Sequence, residues 1–218
     1  MIPNIVYEDN NIIICNKPVG MASQSERGFE PDLLGEIKKY RAVHGSAGDT
    51  YIINRLDKPV GGLVLFALNK KTAASLSAMS GSHSIDKEYY AVVKGIIDDK
   101  GEYTDYLVKN PGKNMSYVDN DKPAGARKAS LSYELIKTKE YDGQEYSLIR
   151  VRLYTGRHHQ IRVQMAYHGH PLYGDLKYNP DFSGRKGVFP MLFAYRLSFN
   201  NPAGPDRITV EVSPEWDI

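Results

Sequence analysis

Three long stretches of this chain alternate apolar and polar residues with a period of two, and little helical pattern separates the last two. KEYYAVVKGII (87–97), KASLSYELIKTKE (128–140) and EYSLIRVRLY (145–154) are rich in β-branched and aromatic residues, as half-buried strands are. Strands that come in runs, without strict β-α alternation, favour an α+β domain over a doubly wound sheet. IVYEDNNIIICNKP adds two short strands around a D-N-N turn. YIINRLDKPVGGLVLFALNKKTAASLSAMSG reads as a strand, a loop, a fully apolar strand and a helix capped by Asn69 and stopped near Gly81. Helical spacing appears over PDLLGEIKKYRAVHG, at Leu33, Leu34, Ile37 and Tyr40, and over HHQIRVQMAYHG, closed by Gly169 with Pro171 beyond. FPMLFAYRLSFNNPAGPDRITVEV supplies two closing strands. DNDKPAGARK (119–128), with strands on both sides, is expected to be a long loop, so 1–218 reads as a single domain.

Composition narrows the class. Cys15 is the only cysteine of the 218 residues, so no internal disulfide exists, and its apolar context predicts a buried thiol in a reducing compartment. No apolar run approaches the roughly 20 residues of a membrane span, and the start lacks a signal-peptide pattern. A soluble cytoplasmic protein with no membrane partner is the expectation. The formal net charge of +2 argues against a nucleic-acid partner until it is resolved by segment. Residues 146–200 hold eight basic and two acidic side chains, with His158, His159, His168 and His170 among them and Tyr154, Tyr167, Tyr173 and Tyr178 interleaved. Such a segment is either a solvated face or a phosphate contact. Its arginine richness favours phosphate, because a planar guanidinium forks onto phosphate oxygens.

Common catalytic signatures are absent. There is no P-loop, no G-x-S-x-G elbow, and Gly61-Gly62 is a lone pair leading into a strand. The clustered histidines lack Cys or carboxylate partners at metal-ligand spacing, so no metal is expected. What remains is Asn54-Arg55-Leu56-Asp57, a charged tetrapeptide between two apolar strands, where a carboxylate can face a cleft. An ordinary Asx turn explains the same residue equally well.

Four blocks give these residues a context. NRLDKPVGGLVLFA resembles the H-R-L-D-x-x-T-S-G-L-L-L-F-A block of the RluA-type pseudouridine synthases, and YTGRHHQIRVQMAYHGHPLYGD resembles that family's T-G-R-x-H-Q-I-R-V-H block with its following G-x-P-I-x-G-D. IVYEDNNIIICNKPVGM is similar to its first strand pair and Lys-Pro-x-G turn, and KEYYAVVKG to its K-x-Y-x-A-x-V-x-G strand. The resemblance implies a pseudouridine synthase fold: a largely antiparallel mixed central sheet with flanking helices and an active-site cleft across it. The match covers a stand-alone catalytic domain, without the small amino-terminal RNA-binding domain of many relatives.

The same resemblance implies a reaction in which uridine within structured RNA, ribosomal or transfer, becomes pseudouridine by base flipping, without cofactor, metal or energy source. It maps the essential aspartate onto Asp57, its arginine partner onto Arg162, and the tyrosine that stacks on the base onto Tyr89. Leu192 matches an apolar pocket position. Arg55 is the candidate for filling the vacated stack or gripping a phosphate. Arg157, His159 and Gln160 would hold the RNA backbone at a helix start, where free N–H groups favour anions. Three departures stand out: Asn54 for His, Val60-Gly61 for Thr-Ser, and Gln164 for the last His of the third block. They motivate a rival, an RNA-binding or RNA-folding protein with weak or lost catalysis. A nucleoside glycosidase would require a second catalytic carboxylate, and the four blocks offer none. With no heptads or long apolar patch, a monomer is expected.

Overall fold

The computed structural model describes residues 3–25, 30–46, 48–141 and 143–216. The chain forms two compact units, one drawn from Met1–Asp86 with Ala194–Glu215, the other from Lys87–Phe193.

The first unit begins with β1 (Ile5–Glu8) and β2 (Ile12–Lys17), an antiparallel hairpin whose turn is held by the Asp9 carboxylate, which accepts from the backbone N–H groups of Asn11 and Ile12 at 2.7 and 2.8 Å. α1 (Leu33–Val43) is capped by Asp32, which accepts from Gly35 N, a signal that lay unread beside Pro31. Short β3 (Tyr51–Ile52) and β2 both pair antiparallel with β4 (Gly61–Ala67). β4 is buried along its whole length, as its uninterrupted apolar run requires. α2 (Lys70–Gly81) starts at Asn69, whose side chain accepts from Thr72 N. Cys15 is fully buried on β2, and burial, with the Glu8 carboxylate nearby, pushes its thiol up to about 12. The buried thiol expected of this sequence is therefore present and inert.

The second unit is a five-stranded antiparallel sheet. β5 (Asp86–Lys94), β6 (Lys100–Asn110), β7 (Met115–Val118), β8 (Arg127–Tyr141) and β9 (Gln144–Leu153) stand in the order β5-β9-β8-β6-β7. The three strands expected from alternation are β5, β8 and β9. β6 and β7 were not anticipated, because GEYTDYLVKN and MSYV are broken by polar and glycine residues; β6 forms by pairing with β8 and β7 by pairing with β6, not by intrinsic apolar pattern. The 119–126 segment is the expected loop, pinned where Asn120 Oδ1 accepts from Tyr106 N and Lys122 Nζ sits 4.7 Å over the Tyr106 ring. α3 (Gln160–Tyr167) is shorter at its start than HHQIRVQMAYHG predicts. His159 adopts a left-handed backbone, φ 55°, which an L-residue enters at a cost, so the helix begins one residue later.

The chain returns to the first unit with β10 (Leu192–Asn200) and β11 (Arg207–Glu211), an antiparallel pair, giving the order β1-β2-β4-β10 with β11 on β10. Gly62 allows β4 to lie against β10: its φ is +113°, and a β-carbon there would stand 2.3 Å from the Ala194 carbonyl oxygen. Gly62→Ala is therefore expected to destabilise the protein by about 2 kcal/mol or more, because strain and backbone overlap act together. Urea unfolding at neutral pH measures this, and a midpoint equal to wild type would contradict the close approach.

Candidate active site

Asp57 lies in the loop between β3 and β4, and the residues on both sides of it are held. Ser23 Oγ donates to Leu56 O at 2.9 Å and accepts from Leu56 N at 3.0 Å. Gly20 N donates to Lys58 O at 2.9 Å, and Val60 N to Asp57 O at 2.9 Å, closing a tight turn through Lys58-Pro59. Asn54 replaces a strand residue: its Oδ1 accepts from Leu65 N at 2.7 Å and its Nδ2 donates to Leu63 O at 3.2 Å, so one side chain fastens the loop to β4. The departure from His at this position thus has a structural use. Arg55, on the same loop, is exposed.

Beneath this loop is a lysine that the sequence reading passed over. Lys17 is fully buried at the end of β2, and its ammonium donates to the carbonyls of Met21 at 2.7 Å, Pro18 at 3.0 Å and Lys58 at 3.4 Å. Burial pushes the amine down to about 8, while the Asp57 carboxylate works in the opposite direction. Lys17 therefore ties the Lys-Pro turn to the residue after Asp57 and supplies positive potential to that carboxylate. The K-P-x-G spelling was the available signal.

The other predicted residues belong to the second unit. Arg162, on α3, is 3% exposed and makes a two-pronged ion pair with Asp175: Nε to Oδ2 at 2.7 Å and NH2 to Oδ1 at 2.8 Å. Asp175 is fully buried and also accepts from the backbone N–H groups of Lys177 and Tyr178, at 2.9 and 3.2 Å. Burial pushes its carboxyl up, but Arg162 and these N–H groups outweigh burial and hold it below the ordinary carboxylate range. Tyr178 packs against the Arg162 guanidinium at 5.3 Å, and its hydroxyl accepts from Ser116 N at 2.7 Å while bonding His159 Nδ1 at 2.9 Å. Asp175 and Tyr178 fix the orientation of Arg162, and neither was singled out from the sequence.

The loop entering α3 is shaped from within. Gln160 is buried; its Oε1 accepts from Thr155 Oγ1 at 2.7 Å and Arg157 N at 3.0 Å, and its Nε2 donates to Ser130 O at 3.1 Å. Arg157 is exposed, with Nε donating to Lys128 O at 2.9 Å. Tyr89 is buried on β5 opposite Val151 of β9, and Tyr133 of β8 lies across Val151 on the same face. Leu192 is buried directly after Met191, whose carbonyl accepts from Val92 N at 3.0 Å and whose own N–H donates to Tyr173 O at 2.9 Å. Gln164, the third departure, donates to Asp105 Oδ2 at 2.7 Å; His168 reaches the same carboxylate at 3.1 Å while stacking on Tyr103. The basic segment is less open than its composition implies: Arg150 pairs with Glu134, Arg196 with Glu211 and Arg162 with Asp175. Two of those acids come from outside the segment.

Among the described residues no group of three or more His, Cys, Asp or Glu is arranged to hold a metal ion, and no helix is long and apolar enough to cross a membrane. Residues 11–167 match the family model described as RNA pseudouridylate synthase. A protein of Haemophilus ducreyi named tRNA pseudouridine synthase C is 30% identical, covering 99% of this chain and 93% of its own. A second protein of that organism, named ribosomal large subunit pseudouridine synthase D, is 34% identical over 80% of this chain and 52% of its own. Among solved structures, human RNA pseudouridylate synthase domain containing 1 superposes with a TM-score of 0.81 at 20% identity, covering 97% of this chain and 83% of that one.

Asp175→Asn leaves the Arg162 charge buried without its counter-ion and is expected to cost about 3–5 kcal/mol at pH 7. Because the folded-state carboxyl is held low, its stabilisation is full above the unfolded value of about 3.9 and is lost as pH falls through the folded value. Urea unfolding at pH 7 and pH 3 should therefore show the gap between wild type and variant narrowing in acid. A gap that is constant with pH would contradict the ion pair.

Proposed function

Since the chain belongs to the RNA pseudouridylate synthase family and is an RNA-modifying isomerase, we propose that Asp57 is the carboxylate on which its reaction turns. The two units act as one catalytic domain. In the reaction the N1–C1′ bond of a uridine breaks, a C5–C1′ bond forms, the C5 proton leaves and N1 gains one, so substrate and product are isomers and no oxidant or reductant is consumed. Asp57 either attacks C1′ or removes the C2′ proton, and both routes need an ionised carboxylate held beside the sugar. The observation that supports this most is the anchoring of its neighbours: Leu56 by Ser23, Lys58 by Lys17 and Gly20, and Asn54 by β4. A group fixed on both sides loses little freedom on meeting substrate.

In this reading Tyr89 stacks on the extruded uracil, Arg162 is the catalytic arginine, and Leu192 lines the base pocket. Arg55 and Arg157, both exposed, meet phosphate or fill the vacated stack. Gln160 holds the Arg157 backbone and His159 bonds Tyr178, so these two buried side chains position the start of α3 and do not themselves grip RNA. The enzyme works as a cytoplasmic monomer on structured RNA. Transfer RNA is the favoured class, because the relatives matched over 93% and 86% of their own length carry tRNA names.

Pseudouridine mapping of total RNA in a deletion strain tests both parts. One site or a small set, in tRNA, should disappear, return with the wild-type chain and stay absent with Asp57→Ala. Loss at a ribosomal site would move the substrate class, and restoration by Asp57→Ala would overturn the role of that carboxylate. Binding of unmodified transcript should fall steeply with salt, Arg55→Gln and Arg157→Gln each reducing the log–log slope by about one. A flat dependence would contradict phosphate contact.

A further inference from the structure

Lys87, the second residue of β5, stands two residues before Tyr89, so both side chains are on one face of the sheet, with Leu153 opposite Lys87 and Val151 opposite Tyr89. Its amine reaches the loop that feeds α3: a β-carbon built on Gly156 would lie 3.8 Å from Lys87 Nζ. The side chain is partly buried, and burial pushes the amine below the ordinary lysine range. Among the described residues no carboxylate, carbonyl or hydroxyl pairs with it. By contrast Lys94 pairs with Asp181, and Lys177 donates to the Asn114 carbonyl. A desolvated ammonium without a partner is costly, and a fold that retains one beside its substrate residues has a place for an anion.

We propose that Lys87 is a substrate-binding residue whose ammonium pairs with a phosphodiester oxygen of the RNA strand adjoining the uridine that Tyr89 meets. This rests on the assignment of RNA as substrate and of Tyr89 to the uridine. A phosphodiester is the fitting anion because it is charged at every working pH and takes a compact cation as a point contact. Gly156, lacking a side chain, keeps the backbone beside the amine open, and exposed Arg157 follows it as a second cation.

Lys87→Gln, Lys87→Met and Lys87→Arg test the assignment, with the transcript in which mapping locates the target uridine as the probe. Lys87→Gln should bind about tenfold more weakly, with a salt slope smaller by about one, while its single-turnover rate at saturating RNA stays within about twofold of wild type. Lys87→Arg should recover most of the affinity. A transcript carrying a neutral methylphosphonate at the linkage beside the uridine should bind wild type as weakly as Lys87→Gln binds the ordinary transcript, and Lys87→Gln should not distinguish the two. Lys87→Met should melt no lower than wild type, since it removes an uncompensated charge. Unchanged affinity and slope in Lys87→Gln, or a loss of single-turnover rate with binding intact, would overturn the proposal, as would a lowered melting temperature in Lys87→Met. Wild type that binds through Lys87 yet forms no pseudouridine overturns the catalytic reading and not this one. Wild type that forms pseudouridine while Lys87→Gln matches it in binding overturns this one alone.

Discussion

The buried ion pair between Arg162 and Asp175 is the constraint around which the second unit is organised. Two opposite charges taken out of water are tolerable only when geometry is good and the remaining lone pairs are satisfied. Here both conditions hold, because the guanidinium meets both carboxylate oxygens and two backbone N–H groups complete the acceptor. The pair joins α3 to the segment after Gly174, and Tyr178 extends it to β7 and His159. A helix of eight residues has little stability of its own. Its position is set by these bonds, and Arg162 is thereby presented in one orientation.

The first unit uses the same logic with a single cation. Lys17 gathers three carbonyls, two from its own turn and one from the residue after Asp57, so an ammonium replaces the regular backbone pairing that a loop lacks. Ser23 and Asn54 do the same for the residues before Asp57. The loop that carries Asp57 is therefore irregular in shape yet tied on both sides of that residue, which suits the proposed role of a carboxylate that meets a sugar in one geometry. The differences from the family pattern at Asn54 and Gln164 each fill hydrogen bonds that a polar side chain of another kind can fill, which weakens them as reasons to doubt catalysis.

Much of this was legible in the residues. Long alternation placed β5, β8 and β9, the all-apolar GGLVLFA placed β4, and Asn69 marked the start of α2, because each signal is local. β6 and β7 were not legible: β6 takes its register from β8 and β7 from β6, so neither is set by a pattern of its own. The start of α3 was misjudged because left-handed His159 is stabilised by tertiary contacts with Tyr178. Asp57 stood out as a carboxylate between two apolar strands, which an Asx turn explains equally well; Tyr89 and Arg162 stood out only through the four-block resemblance. Asp175 and Lys17 lie inside the same blocks and Tyr178 just beyond the third, yet their roles needed coordinates, since nothing in spacing tells which carboxylate an arginine meets. Segment charge misled in the same way, since acids from β8 and β11 neutralise arginines that composition counted as open.

The central claim is that this chain's own residues convert uridine to pseudouridine within intact RNA. Release of tritium to water from RNA labelled at C5 of uridine measures it most directly, because that hydrogen is lost only when C5 becomes bonded to C1′. Purified wild-type protein, with no added nucleotide or metal, should release tritium in proportion to pseudouridine formed and leave the RNA chain unbroken. No release, or the appearance of free labelled uracil, would contradict the account.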